Sequence, residues 1–153
     1  MKVYIGGDHA GFELKEKVKD YIKKLGYALE DVGPFKYDPE DDYPDYTIPL
    51  AKKVTKDKNS RGIIIAGSGI GEVIASNKVN GIRAVLFHGK ANKFFLETSR
   101  IHNDTNILCF GSRFVSLRQA KKGIRIWLNT KFSKEERHKR RLDKISKYEK
   151  SRK

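Results

Sequence analysis

Residues 62–66 read Gly-Ile-Ile-Ile-Ala and run straight into Gly67-Ser68-Gly69-Ile70-Gly71. A strand that is apolar at every position, rather than at every second one, has to be covered on both faces. That requirement points to the interior of a parallel sheet with helices on either side. The rest of the chain supplies the other parts. Lys2–Gly6 is another short apolar stretch, closed by Gly7. Leu14, Val18, Tyr21, Ile22 and Leu25 then recur at helical spacing with lysines between them, and Gly26 ends the pattern. Further strands are expected at Tyr27–Val32, Ala84–Phe87 and Asn106–Phe110. Further helices are expected through Leu50, Ala51 and Val54 to about Lys56, and over Glu72–Lys78, Ala91–Arg100 and Ser116–Leu128. The acidic, proline-containing segment Tyr37–Tyr46 reads as a loop. Five strands alternating with helices predict an α/β domain with a five-stranded, mostly parallel sheet and right-handed crossovers. Ligands of such sheets bind beyond the carboxyl ends of the strands. Here those ends are residues 7–11, 33–46, 67–72 and 111–113.

At 153 residues the chain is expected to form a single domain, 1–153. No apolar run approaches the ~18 residues of a spanning helix, and the N-terminus lacks the apolar stretch of a signal peptide. A soluble, cytoplasmic protein is expected. The lone Cys109 excludes an internal disulfide framework and any multi-cysteine zinc site. Net charge is +14, and residues 131–153, with 11 basic and 4 acidic side chains, carry half of it. A basic C-terminal helix is expected over Lys134–Lys150, its apolar positions being Leu142, Ile145 and Tyr148. Such a charge suits an anionic partner of undefined size, or simply a solvated lysine-rich face.

The chemistry-bearing residues cluster at the predicted strand ends. Gly67, Gly69 and Gly71 would expose backbone N–H groups where a helix begins, a setting that favours an anion. The dinucleotide fingerprint fails, because Glu72 stands where a glycine or alanine is needed; the P-loop fails for want of Gly-Lys-Ser/Thr. Glu72 itself reads two ways. It is a favourable charge at a helix start, or it is a base set beside N–H groups that hold negative charge on a neighbouring oxygen, as proton abstraction next to a carbonyl requires. Asp8 could cap a turn or meet a ligand. Arg137 and Arg141, four apart, could grip one phosphate or stay solvated. His88 follows a strand without an evident partner, and Cys109 reads as inert core. No His, Asp and Glu set has metal-ligand spacing, and no cofactor is expected.

Several segments, in order along nearly the whole chain, carry a resemblance. They are Gly7-Asp8-His9-Ala10-Gly11-Phe12, Asp42-Tyr43-Pro44, Gly67-Ser68-Gly69-Ile70-Gly71, Ala75-Ser76-Asn77-Lys78 and Gly81-Ile82-Arg83-Ala84. Arg100-Ile101-His102-Asn103-Asp104-Thr105-Asn106, Phe110-Gly111-Ser112-Arg113, and Arg137-His138 with Arg141 follow. Together they resemble the type B ribose-5-phosphate isomerases, relatives of the galactose-6-phosphate isomerase subunits. Many members carry a catalytic cysteine just before the glycine loop; here that position is Ala66. The chain resembles instead the branch with a glutamate directly after the loop, Glu72.

The resemblance implies a three-layer, Rossmann-like fold and interconversion of D-ribose 5-phosphate and D-ribulose 5-phosphate through a cis-enediolate, in the non-oxidative pentose phosphate pathway. It implies that Glu72 shuttles the proton, that the N–H groups of Gly67–Gly71 with Ser68 hold the enediolate, and that His102 opens the sugar ring. Asp8, Tyr43 and Asn103 would bind hydroxyls; His9, Arg113, Arg137 and Arg141 would hold the phosphate. It also implies a homodimer with shared sites that can pair into a tetramer. Sheet polarity agrees: His102 and Asn103 precede the fifth strand whereas Asp8, Ser68 and Glu72 follow theirs, and a strand spans ~17–20 Å. His102 is therefore expected to serve a neighbouring subunit. Two other functions compete: isomerisation of a hexose 6-phosphate of galactose or allose type, and non-catalytic anion or RNA binding on the same scaffold. Nucleic acid is the less expected partner, because no RNA-recognition motif is present.

Overall fold

The computed structural model describes residues 1–89 and 93–151. Five strands, β1 (Lys2–Gly7), β2 (Ala28–Asp31), β3 (Ser60–Ala66), β4 (Ala84–Phe87) and β5 (Ile107–Gly111), form one sheet in the order β2-β1-β3-β5-β4. All four pairings are parallel. Helices α1 (Phe12–Lys24), α2 (Pro44–Lys56), α3 (Ile70–Ser76), α4 (Lys93–Asn103), α5 (Leu117–Asn129) and α6 (Glu136–Ser151) complete the fold.

The three-layer arrangement follows from the two-residue alternation of side chains along a strand. Val3, Ile5, Ile63, Ile65, Leu108 and Phe110 face Leu14, Val18 and Ile22 of α1, Leu96 of α4, and Ile124 and Trp127 of α5. Tyr4, Ile64, Ile107 and Cys109 face the other way, onto Leu50, Ala51 and Val54 of α2 and Val73 of α3. The isoleucine run of β3 is fully buried, as its composition demanded.

Element bounds differ from expectation where local chemistry misleads. Helix α2 begins at Pro44, inside the segment read as loop, because proline suits the first helical position, where its missing N–H costs nothing. The expected start of α4 at Ala91 lies outside the described residues. Its end runs past Arg100 to Asn103, so His102 and Asn103 are helical; Asp104, at φ 43°, is the breaker. Helix α6 starts at Glu136, after Lys134 at φ 58°. Lys15, one of the lysines between the apolar positions of α1, is fully buried. Its ammonium donates to both Asp31 oxygens, at 3.0 and 2.9 Å, and to the Pro34 carbonyl at 2.6 Å. Asp31 Oδ1 in turn accepts the Gly33 N–H, and the Gly33 carbonyl accepts the Gly7 N–H at 3.1 Å. A buried ion pair thus fixes the loop that supports the end of β1.

Candidate active site

Three strand ends meet at the carboxyl edge. After β1 the chain turns through Asp8, whose Oδ1 accepts the Gly11 N–H at 2.9 Å, so the capping role is real. This turn lies directly against β3: a Cβ at Gly7 or Gly11 would run into the Ile65 carbonyl. After β3 the glycine loop passes through Gly69 at φ 76°, a left-handed conformation that glycine adopts without strain, and α3 starts at Ile70. The Ala66 and Gly67 carbonyls accept the N–H groups of Ser112 (2.7 Å) and Arg113 (3.2 Å), tying the loop to the end of β5. Ser68 Oγ accepts the Ile70 N–H at 3.2 Å.

Glu72 stands in the first turn of α3 and is 3% exposed. Burial pushes its carboxyl above the usual glutamate range, and the nearby Asp8 charge adds to the effect, while its own backbone N–H works the other way. A carboxylate so placed holds a proton more readily than a solvated one, which suits an acid–base group. Cys109, fully buried on β5, lies within the field of Glu72; burial drives its thiol well above the ordinary value, so it remains protonated.

Tyr43, at the start of α2, brings its phenol ring over the loop: a Cβ on Gly71 would lie 2.8 Å from Tyr43 Cζ. Arg113 covers Gly67, its Cζ 3.2 Å from the corresponding Cβ position. His9 is near enough to feel both Asp8 and Arg113. Asp8, His9, Tyr43, Gly67, Ser68, Gly69, Ile70, Gly71, Glu72 and Arg113 therefore gather at one end of the sheet.

His102, Asn103, Arg137 and Arg141 gather elsewhere. They belong to the C-terminal end of α4 and the start of α6, next to the amino end of β5. The His102 ring packs on His138 at a centroid distance of 4.4 Å. His138 is buried, and its Nδ1 pairs with Ser133 Oγ at 2.8 Å. Burial holds the His138 pKa below the usual histidine value, helped by the neighbouring His102, Arg137 and Arg141. The Arg137 and Arg141 side chains are exposed, Arg137 Nε donating to Glu135 at 2.8 Å. Since β5 pairs in parallel with β3, Ile107 opposite Gly62 and Gly111 opposite Ala66, this second group is a strand length from Glu72 within one chain.

The contacts of two residues escaped the sequence reading. His88 does have partners: its Nε2 lies 3.3 Å from the Ser68 carbonyl, and its ring lies tilted against Phe114, the centroids 5.0 Å apart. Asp41, inside the acidic loop, bonds His9 through both the backbone and the ring. No spacing pattern signals a contact between residues 32 apart in a loop.

Comparison with known proteins adds an independent line. Residues 3–145 match the Ribose/Galactose Isomerase family. A ribose-5-phosphate isomerase B of Mycobacterium tuberculosis is 37% identical over 151 residues, covering 99% of this chain and 91% of that protein. The crystal structure of the Mycoplasma genitalium ribose-5-phosphate isomerase B with bound ribulose-5-phosphate superposes with a TM-score of 0.90 at 37% identity, over 97% of this chain and 96% of that one. The Clostridium thermocellum ribose-5-phosphate isomerase B gives 0.92 at 40% identity over the full length of both chains. With its glycine loop, buried glutamate and three-layer parallel sheet, the chain belongs to the Ribose/Galactose Isomerase family.

Proposed function

We propose that this protein is an aldose–ketose isomerase that interconverts D-ribose 5-phosphate and D-ribulose 5-phosphate. The observation that carries the reading is Glu72, a buried carboxylate with a raised pKa that follows the glycine loop where Ala66 offers no base. The relative solved with ribulose-5-phosphate favours the pentose over a hexose phosphate. In the forward direction His102 assists opening of the furanose ring. Glu72 then removes the C2 proton, the carbonyl oxygen at C1 becomes an enediolate oxygen, and the N–H groups of Gly67–Gly71 with Ser68 stabilise that charge. The proton of the C2 hydroxyl passes to the oxygen at C1, the C2–O bond becomes the carbonyl, and return of the proton from Glu72 to C1 yields the ketose. Asp8, Tyr43 and Asn103 bind hydroxyls, and His9, Arg113, Arg137 and Arg141 bind the phosphate.

This assignment needs two chains. The separation of Glu72 from His102 within one protomer supports a homodimer in which each site takes the glycine-loop group from one subunit and the α4–α6 group from its partner. Exposed apolar side chains near that second group agree: Phe94 is 71% and Ile145 50% exposed. They line, with Leu142 and Asn103, a cleft of about 610 Å³. We further read residues 1–153 as one isomerase domain acting in the cytoplasm, in the non-oxidative pentose phosphate pathway. No described helix is long and apolar enough to cross a membrane.

The test is an assay of the purified protein, without added metal, on ribose 5-phosphate, allose 6-phosphate and galactose 6-phosphate. Ketose formation from ribose 5-phosphate, at least about tenfold faster in kcat/KM than from either hexose, is expected. Preference for a hexose phosphate, or no turnover of any, would overturn the reading.

A further inference from the structure

The His9 ring is held from behind. Asp41 Oδ1 accepts the ring Nδ1–H at 2.6 Å and the backbone N–H of the same residue at 3.1 Å. Two bonds to one oxygen fix the main chain and the ring plane together. The Asp41 side chain is 3% exposed and that of His9 32%, so the carboxylate lies inside and the imidazole forms the wall. Tyr37 meets the ring edge-on at 6.4 Å and 88°, closing one flank. Among the described residues, Asp41 Oδ2 is buried without a hydrogen-bond partner. A buried carboxylate with a bare oxygen is costly unless a cation lies against it. The group lying against it is His9.

We propose that Asp41 is a positioning residue for phosphate recognition: it presents His9 Nε2–H to the phosphate of the sugar and keeps that ring positively charged. The inference rests on the isomerase reading, in which His9 meets the phosphate, and extends it to a residue outside the assigned set. The surrounding charges agree. The hydrogen bond from Asp41 raises the His9 pKa, partial burial opposes it, and Asp8 raises it further while Arg113 lowers it. Glu13 and Lys17, which line the cleft beside His9, bond each other at 3.1 Å. Arg113 is near enough for its charge to oppose that of His9, and a dianion bound between the two would stabilise both. The pairing also solves a problem of timing in pH. A phosphate monoester becomes a dianion above about pH 6, where an ordinary histidine, with a pKa of about 6.5, is losing its charge. Asp41 lets imidazolium and dianion coexist.

The experiment uses Asp41→Asn in the full chain, which keeps an acceptor oxygen and removes the charge. The KM for ribose 5-phosphate should rise about tenfold at pH 8 and much less at pH 6, with kcat within about twofold of wild type. By NMR the His9 titration should move to lower pH, and affinity for inorganic phosphate should fall in parallel. An unchanged His9 titration and unchanged KM profile would overturn the proposal, as would equal losses in kcat and kcat/KM. Absence of turnover in the wild type would sink the isomerase reading alone, because the His9 titration and inorganic phosphate binding still decide the role of Asp41. Were Asp41→Asn not to fold, the wild-type titration decides: a His9 midpoint above about 6.5 supports the proposal, and one at or below it overturns it.

Discussion

Glu72 is held where its charge is least welcome, and this has opposite effects on stability and on rate. Its folded pKa is raised by burial, so between the ordinary glutamate value and the folded one the native state binds the extra proton. Stability from this group is therefore full at low pH and is lost as pH rises through the folded pKa. Glu72→Gln should melt higher than wild type at pH 8, by about 2–4 °C for each kcal/mol recovered, and about level with it at pH 4. Thermal melts at the two pH values check this; an equal shift at both would point to packing instead. The same variant should lose about 10²–10⁴ in kcat, while the acid limb of wild-type kcat/KM should fall above the ordinary glutamate range. Cys109→Ser, at a fully buried and protonated thiol, should keep near-normal turnover apart from any packing cost.

The 3-10 turn His9–Gly11 and the glycine loop owe their positions to close backbone contact with β3 and β5. Gly11→Ala sets a methyl against the Ile65 carbonyl, which cannot rotate away as a side chain could. A loss of about 1–3 kcal/mol or more in denaturant unfolding is expected, together with reduced turnover; a silent substitution would show that the turn is free to shift. Such elements vary in how readily the sequence reveals them. Strands β1, β3 and β5 are buried on both faces, and their apolar runs announce them. The glycine loop and Glu72 are legible for a related reason: both are local, set by a strand followed at once by a helix. The ends of α2 and α4 are less so, because Pro44 reads as a breaker when it is a first helical residue, and His102-Asn103 reads as loop when Asp104 is the true stop. Lys15, Asp41 and His88 were opaque. Each acquires its role from a partner distant in sequence, Asp31 and Pro34 for Lys15, His9 for Asp41, Ser68 for His88.

At the scale of the whole molecule, the separated groups make the assembly itself testable. Inactive Glu72→Gln and inactive His102→Ala chains, dissociated and reassociated together, should regain up to about half of wild-type activity per mixed dimer, since one of its two sites then has both groups intact. No recovery despite proven exchange of subunits would count against shared sites. Arg137→Ala and Arg141→Ala should chiefly raise KM, whereas changes at the exposed Lys147 or at Lys150 should do little; parallel losses from all four would assign the basic helix to a larger anion. On the shared-site reading, a folded chain with Glu72 and His102 at opposite ends of its own sheet would be only half an enzyme. Its specific activity would then obey mass action. Dilution below the dissociation constant of the pair would silence it while every chain stays folded, and in that limit the measured rate would grow with the square of the protein concentration.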